Sequence, residues 1–140
     1  MELTKTIQLN LKCPEIYKYR TNIYMRQDKW EEAIQDLDEI IRLDPGNSIR
    51  YNKRGFAHFH LGSLNEAIHD FDKAIRLNPK NIEAYNNRGG VFLAYGDFDT
   101  IIQDLNHAIH LEPKNVSSYI NRASVYARKG DWKAAIDNYN

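Results

Sequence analysis

A step of 34 residues, kept without insertion or deletion, constrains this 140-residue chain more than any other feature. The segments "IIRLDPGN", "AIRLNPKN" and "AIHLEPKN" place Pro45, Pro79 and Pro113 one step apart. The same step links Arg20, Arg54, Arg88 and Arg122, and also Tyr17, Tyr51, Tyr85 and Tyr119. A constant period of this length marks one supersecondary unit stacked several times. The repeats run 14–47, 48–81, 82–115 and 116–140, the last cut short.

Each repeat reads as two helices. In the second helix of the first repeat, Ala33, Leu37, Ile40 and Ile41 share a face at helical spacing. Arg42, Arg76 and His110 fall in the last turns of successive second helices, where a cation suits the helix dipole. The recurring proline stops each of these helices, and Asn47, Asn81 and Asn115 are placed to cap the next one. Gly62, Gly96 and Gly130 fit the left-handed position of a tight turn inside each pair. Asp28 holds that place in the first repeat and tolerates it less well. Trp30, Leu64, Phe98 and Trp132 follow two positions later, ready to wedge between helices.

With this period and these residues, the chain resembles the tetratricopeptide repeat family over residues 14–140. The match includes the aromatic at the fourth position (Tyr17, Tyr51, Tyr85, Tyr119). It includes a small residue at the eighth (Gly55, Gly89, Ala123), with Thr21 larger, and alanine at the twentieth (Ala33, Ala67, Ala135). The resemblance implies an all-α solenoid, a right-handed superhelix of antiparallel helix pairs with about 3.5–4 repeats. Two departures stand out. Ile101 replaces the alanine where two helices approach most closely, so the third pair is expected to be splayed or repacked. Arginine fills the seventh position of every repeat, and Asp36, Asp70, Asp104 and Asn138 follow these arginines at a fixed interval. We read them as a structural ladder between neighbouring helices rather than as a ligand site, because a packing requirement recurs in every repeat.

Composition narrows the function classes. Nineteen basic residues balance nineteen acidic ones, which gives no general attraction for nucleic acid or an anionic membrane. No run of about 18 apolar residues exists to insert in a membrane, and "MELTKTIQLNLKC" lacks the apolar core of a secretory signal. The single cysteine, Cys13, allows no internal disulfide, and the simplest expectation is a cytoplasmic protein. "TIQLN" at 6–10 precedes "AIRLN" at 74–78 by two periods, so residues 1–13 read as the tail of a preceding second helix, with Leu11 where proline would stand. The final "WKAAIDNYN" stops inside a second helix. Either a longer array or self-association through the repeat ends, giving a homo-oligomer, is expected to cover those faces.

Catalytic chemistry finds little footing. His58 and His60 point to different parts of a helix surface, and His107 and His110 lack a third ligand at suitable spacing. No nucleophile constellation or phosphate loop appears, so we expect no enzyme, no metal and no cofactor.

Binding is the stronger expectation. The resemblance implies that the first helix of each pair lines a concave groove. Carried over position by position, it puts Lys18, Asn22 and Met25 there from the first repeat. The second contributes Asn52, Lys53, Phe56, Phe59 and His60. The third contributes Asn86, Asn87, Gly90 and Leu93, and the fourth Asn121 and Arg128. Met25, Phe56, Phe59 and Leu93 suit apolar side chains of a partner, unless the phenylalanines are buried between helices. The asparagines can bracket an extended peptide backbone or merely solvate the surface. A chaperone-tail clamp is not expected: Lys18 and Asn22 fit its pattern, but Lys53, Glu83 and Asn87 replace the other three residues, and Glu83 repels a carboxylate.

The adjacent glycines in "NNRGGVFLAYGDF" separate on this reading. Gly89 lies at the small-residue position, whereas Gly90 aligns with Asn22, Phe56 and Ser124 and would remove a side chain from the groove. The expected function is a non-catalytic protein-interaction scaffold holding an extended or helical peptide. The alternatives are a self-assembling structural module and an accessory segment of a longer multidomain protein.

Overall fold

The computed structural model describes residues 14–139, and the expectations for residues 1–13 lie outside them. The described residues form eight helices and no strand: α1 Pro14–Arg26, α2 Trp30–Leu43, α3 Ser48–His60, α4 Leu64–Leu77, α5 Ile82–Tyr95, α6 Phe98–Leu111, α7 Val116–Lys129 and α8 Trp132–Tyr139. The described residues divide into two compact units, one ending at Leu77 and the other beginning at Asn78.

Local chemistry sets the helix ends as the asparagines and glycines foretell. Asn47 accepts a hydrogen bond from the Ile49 N–H at 3.0 Å, Asn81 from Ala84 at 3.2 Å and Asn115 from Ser118 at 3.3 Å. Each bond satisfies a donor that the first helical turn leaves unpaired. Asp97 and Asp131 cap α6 and α8 in the same way, at 3.2 and 3.1 Å. The turns inside the pairs use positive φ at Gly62, Gly96 and Gly130, and Asp28 adopts it too, at 55°. Asp28 therefore carries a backbone strain that its glycine counterparts avoid.

In the N-terminal unit, α1 packs on α2, α2 on α3 and α3 on α4. The core holds Ala33, Leu37, Ile40, Ala57, Ala67 and Phe71. Gly55 faces the ring of Phe71 so closely that an added Cβ would lie 2.8 Å from Cε1. Only a residue without a side chain permits that approach.

In the C-terminal unit, α5 to α8 pack in the same succession, and α5 also touches α7. Ile101, Leu105 and Val125 form its core, with Phe92, Leu93, Phe98 and Ile102 against them. A Cβ on Gly89 would meet Ile101 Cγ2 at 3.4 Å, an ordinary contact. The bulk opposite the glycine thus comes from Ile101, one turn before the position that Phe71 holds in the preceding repeat. The third pair is repacked around Ile101.

The arginine ladder is structural in its geometry. Arg54 donates from Nε and Nη2 to the two oxygens of Asp70 at 2.8 and 2.7 Å, and Arg88 does the same to Asp104 at 2.8 and 2.6 Å. Arg20 grips Asp36 in the same fork, and Arg122 donates to Asn138 Oδ1 at 2.6 Å. Such paired bonds are among the stronger polar contacts available to a protein. A further arm of Arg54 reaches Asp38 at 2.7 Å, and one of Arg122 reaches Asn106 at 2.6 Å, tying each to the preceding repeat. Hydrogen bonds from Arg20 to Asp36 and from Arg54 to Asp70 hold both guanidinium groups above their ordinary pKa. The tyrosine column belongs to the same device. Each guanidinium lies 5.5–5.8 Å from the ring of the tyrosine three residues earlier, within cation–π range.

Candidate functional site

Each unit has a concavity on its first helices. In the N-terminal unit, a cavity of about 250 Å³ lies among α1, α2, α3 and the turn before α3. Leu37 and Ile40 give it an apolar lining, while Lys18, Arg50 and Lys53 supply three cations and no lining residue is acidic. These cations have partners. Lys18 pairs with Glu15, Lys53 Nζ donates to Asn22 Oδ1 at 2.9 Å, and Arg50 reaches Asp44 at 3.5 Å. Thr21 belongs to the same wall, is 1% exposed, and its hydroxyl has no hydrogen-bond partner.

In the C-terminal unit, a cavity of about 140 Å³ is lined by Leu93, Ile101, Leu105 and Val125, with Asn86, Asn121 and Ser124 as its polar members. Gly89 and Gly90 complete it, and a Cβ on Gly90 would meet nothing within 4 Å. Oδ1 of Asn86 is shut off from solvent and unpartnered. The two cavities use the same register. Lys18, Thr21, Asn22, Leu37 and Lys53 line the first, and the residues two periods later, Asn86, Gly89, Gly90, Leu105 and Asn121, line the second.

The other candidates stand elsewhere. Asn52 is 3% exposed, so it is enclosed rather than offered to a ligand. Phe56, Phe59 and His60 gather around Trp30. His60 stacks on Trp30 at 4.4 Å with the rings 10° apart, Phe56 meets Trp30 edge-on at 5.9 Å, and Phe59 meets His60 edge-on at 5.7 Å. Both phenylalanines are half-buried, as is Met25. The alternative of phenylalanines packed between helices thus holds in part. Asn87 is half-buried and engaged, and Arg128 is exposed; neither lines the two cavities. Sequence reasoning missed Thr21 and Arg50 as cavity residues. Ser124 stands at the groove position it shares with Asn22 and Gly90, and it lines the second cavity.

Paired helices, a fixed register and concavities on the first helices define a helical-repeat protein. A tetratricopeptide repeat family model matches residues 21–88, and the chain's fold is similar to that of tetratricopeptide proteins. Similar solved structures agree. A crystal structure of MamA superposes with a TM-score of 0.88 at 24% identity, covering 98% of this chain and 80% of that one. The first tetratricopeptide domain of Spaghetti (RPAP3), bound to the HSP90 peptide SRMEEVD, has a TM-score of 0.78 at 26% identity, with 84% and 93% covered. The second such domain of human RPAP3, in complex with the HSP70 peptide SGPTIEEVD, has a TM-score of 0.74 at 25% identity, with 81% and 98% covered. The tetratricopeptide fold is a protein-interaction module. Among the described residues, no helix is long and apolar enough to cross a membrane.

Proposed function

We propose that this chain is a non-catalytic scaffold that binds an extended or helical segment of a partner protein on its first helices. The observation that carries the reading is the pair of register-equivalent cavities, lined by Lys18, Asn22, Lys53, Asn86, Gly90, Leu93 and Asn121. The two RPAP3 domains, similar in fold and bound to peptides, support it. Their peptide class does not transfer with them, because Glu83 stands where the clamp pattern needs a cation. The balanced net charge argues against a nucleic-acid partner, and a single cysteine fits a cytoplasmic location.

Peptide arrays probed with the full chain, and with a variant carrying Lys18→Glu and Lys53→Glu, test the reading. Selective peptide binding that the variant alters, with helix content and melting preserved, is the expected result. Binding of no peptide by a folded chain would sink it.

Self-association is the second reading. It is favoured by Trp132, Ile136 and Tyr139 on α8, which are 66%, 60% and 64% exposed. Concentration-dependent sedimentation supports it, and a strict monomer at high concentration removes it.

A further inference from the structure

We propose that Arg122 anchors an acidic side chain of a partner protein, in a cavity between α7 and α8 that stands apart from the first-helix concavities. The site requires no occupancy of those concavities and so goes beyond the scaffold reading above.

The fourth rung of the arginine ladder departs from the other three in charge. Arg20, Arg54 and Arg88 each pair with an aspartate of their own repeat. Arg122 meets Asn138 and Asn106 instead, and no carboxylate among the described residues pairs with it. A guanidinium in a protein is always charged, so this one keeps a positive charge that its counterparts have neutralised. A packing requirement recurs in every repeat, whereas a binding feature varies along the array. Here the packing contact is kept and the counter-charge is gone.

An amide cannot complete the fork that a carboxylate makes. Nε and Nη2 of Arg54 donate to the two oxygens of Asp70 at 2.8 and 2.7 Å. Asn138 offers Oδ1 to Nε of Arg122 at 2.6 Å, but its other polar atom is a donor, spent on the Ala134 carbonyl at 2.7 Å. Nη1 is taken by Asn106 at 2.6 Å. Nη2 is left without an acceptor among the described residues, and it is not shut off from solvent. A carboxylate arriving there gains a charge-assisted hydrogen bond.

The cavity measures about 410 Å³ and is lined by Val116, Tyr119, Arg122, Asp137 and Asn138. The groove candidate Asn121 lines the other cavity of this unit. The Tyr119 ring, 5.5 Å from the guanidinium, steadies it. Asp137 does not pair with Arg122, and it sets a like charge beside any second negative group. One carboxylate is therefore favoured over a phosphate dianion. Val116, 67% exposed, offers an apolar neighbour to the residue next to that acid in the partner chain.

The probe is a blocked pentapeptide with glutamate between two leucines. It is titrated into the full chain and followed by NMR at the Arg122 Nε–H and the Tyr119 ring, where we expect saturable shifts. Exchanging its glutamate for glutamine should weaken binding about tenfold or more, the scale of one charge-assisted hydrogen bond. Asn138→Asp supplies the missing carboxylate from within, so it should melt above wild type and lose the probe to the same extent. Arg122→Gln should lose the probe while its melting falls, so a change in stability alone does not account for both losses. Acetate binding at Arg122 as tightly as the peptide overturns the partner side chain as the ligand. Equal binding of the two peptides, undiminished binding by Asn138→Asp, or no shift at Arg122 at the highest soluble probe concentration overturns the site. Shifts at Lys53 and Asn121 report the first-helix concavities separately, so failure of either reading is told from failure of the other.

Discussion

Gly55 and Gly89 hold the same place in successive repeats, yet they face different neighbours. Gly55 lies against the fully buried ring of Phe71, whereas Gly89 lies against a methyl group of Ile101 at contact distance. Each unit therefore solves one packing problem with its own distribution of bulk: Ala67 with Phe71 in one, Ile101 with Leu105 in the other. The contrast extends to polar groups. Arg54 is held by two aspartates and Arg122 by two asparagines at the equivalent positions, with a two-bond fork onto Asp70 but a single bond to Asn138. It extends to the cavities, one lined by cations and the other uncharged. A repeat register fixes where a side chain stands, and the residue placed there decides the energetics.

The largest test of this contrast lies in the arginines. Arg54→Met leaves Asp70, only 2% exposed, without its guanidinium partner, and should cost about 3–5 kcal/mol. Arg122→Met leaves only neutral amides behind, and should cost about 1–2 kcal/mol. Urea unfolding followed by circular dichroism, with hydrogen exchange to separate the two units, checks both. Equal losses would show that the carboxylates add nothing to the neutral version. Arg88→Met addresses the ladder itself: loss of partner binding with unchanged melting would make the arginines a binding feature instead.

The glycines give the next effect. Gly55→Ala pushes against a ring that has nowhere to go, so a net loss of about 1–2 kcal/mol is expected after the gain in helix propensity. Gly89→Ala should be neutral or stabilising by up to about 1 kcal/mol. Comparable losses at both positions would mean that Ile101 leaves no more room than Phe71.

Asp28→Gly should relieve the left-handed strain in the N-terminal unit and add about 0.5–1 kcal/mol, read as a small rise in Tm.

The smallest effect concerns the cap of α6 in the C-terminal unit. The Thr100 hydroxyl and N–H hold Asp97 below its ordinary carboxyl pKa. That interaction stabilises the fold above the unfolded-state pKa and fades as pH falls through the lowered folded value. Asp97→Asn should therefore melt slightly lower than wild type at neutral pH, with the difference vanishing in acid. A difference that persists below that range would assign the effect to geometry rather than charge.

Much of this fold is legible before any coordinates. Asn47, Asn81 and Asn115 announce their caps, and Gly62, Gly96 and Gly130 their turns, because both depend on a few neighbouring residues. The arginines and their carboxylates are also legible, since the spacing recurs with the repeat. The candidate site is legible only in outline. Position in the register names Lys18, Asn22, Lys53, Asn86, Gly90, Leu93 and Asn121, all of which line cavities. The same rule names Asn52, which is enclosed, and His60, which stacks on Trp30.

By itself, then, the sequence determines paired helices, their ends and the recurring Arg–Asp fork, through contacts within one repeat. Tertiary structure alone decides that Gly55 must yield to Phe71 and Gly90 to no protein atom, and that equivalent cavities differ in charge. The reason is physical: exposure and cavity shape depend on side chains from several helices at once, and no single repeat contains them all.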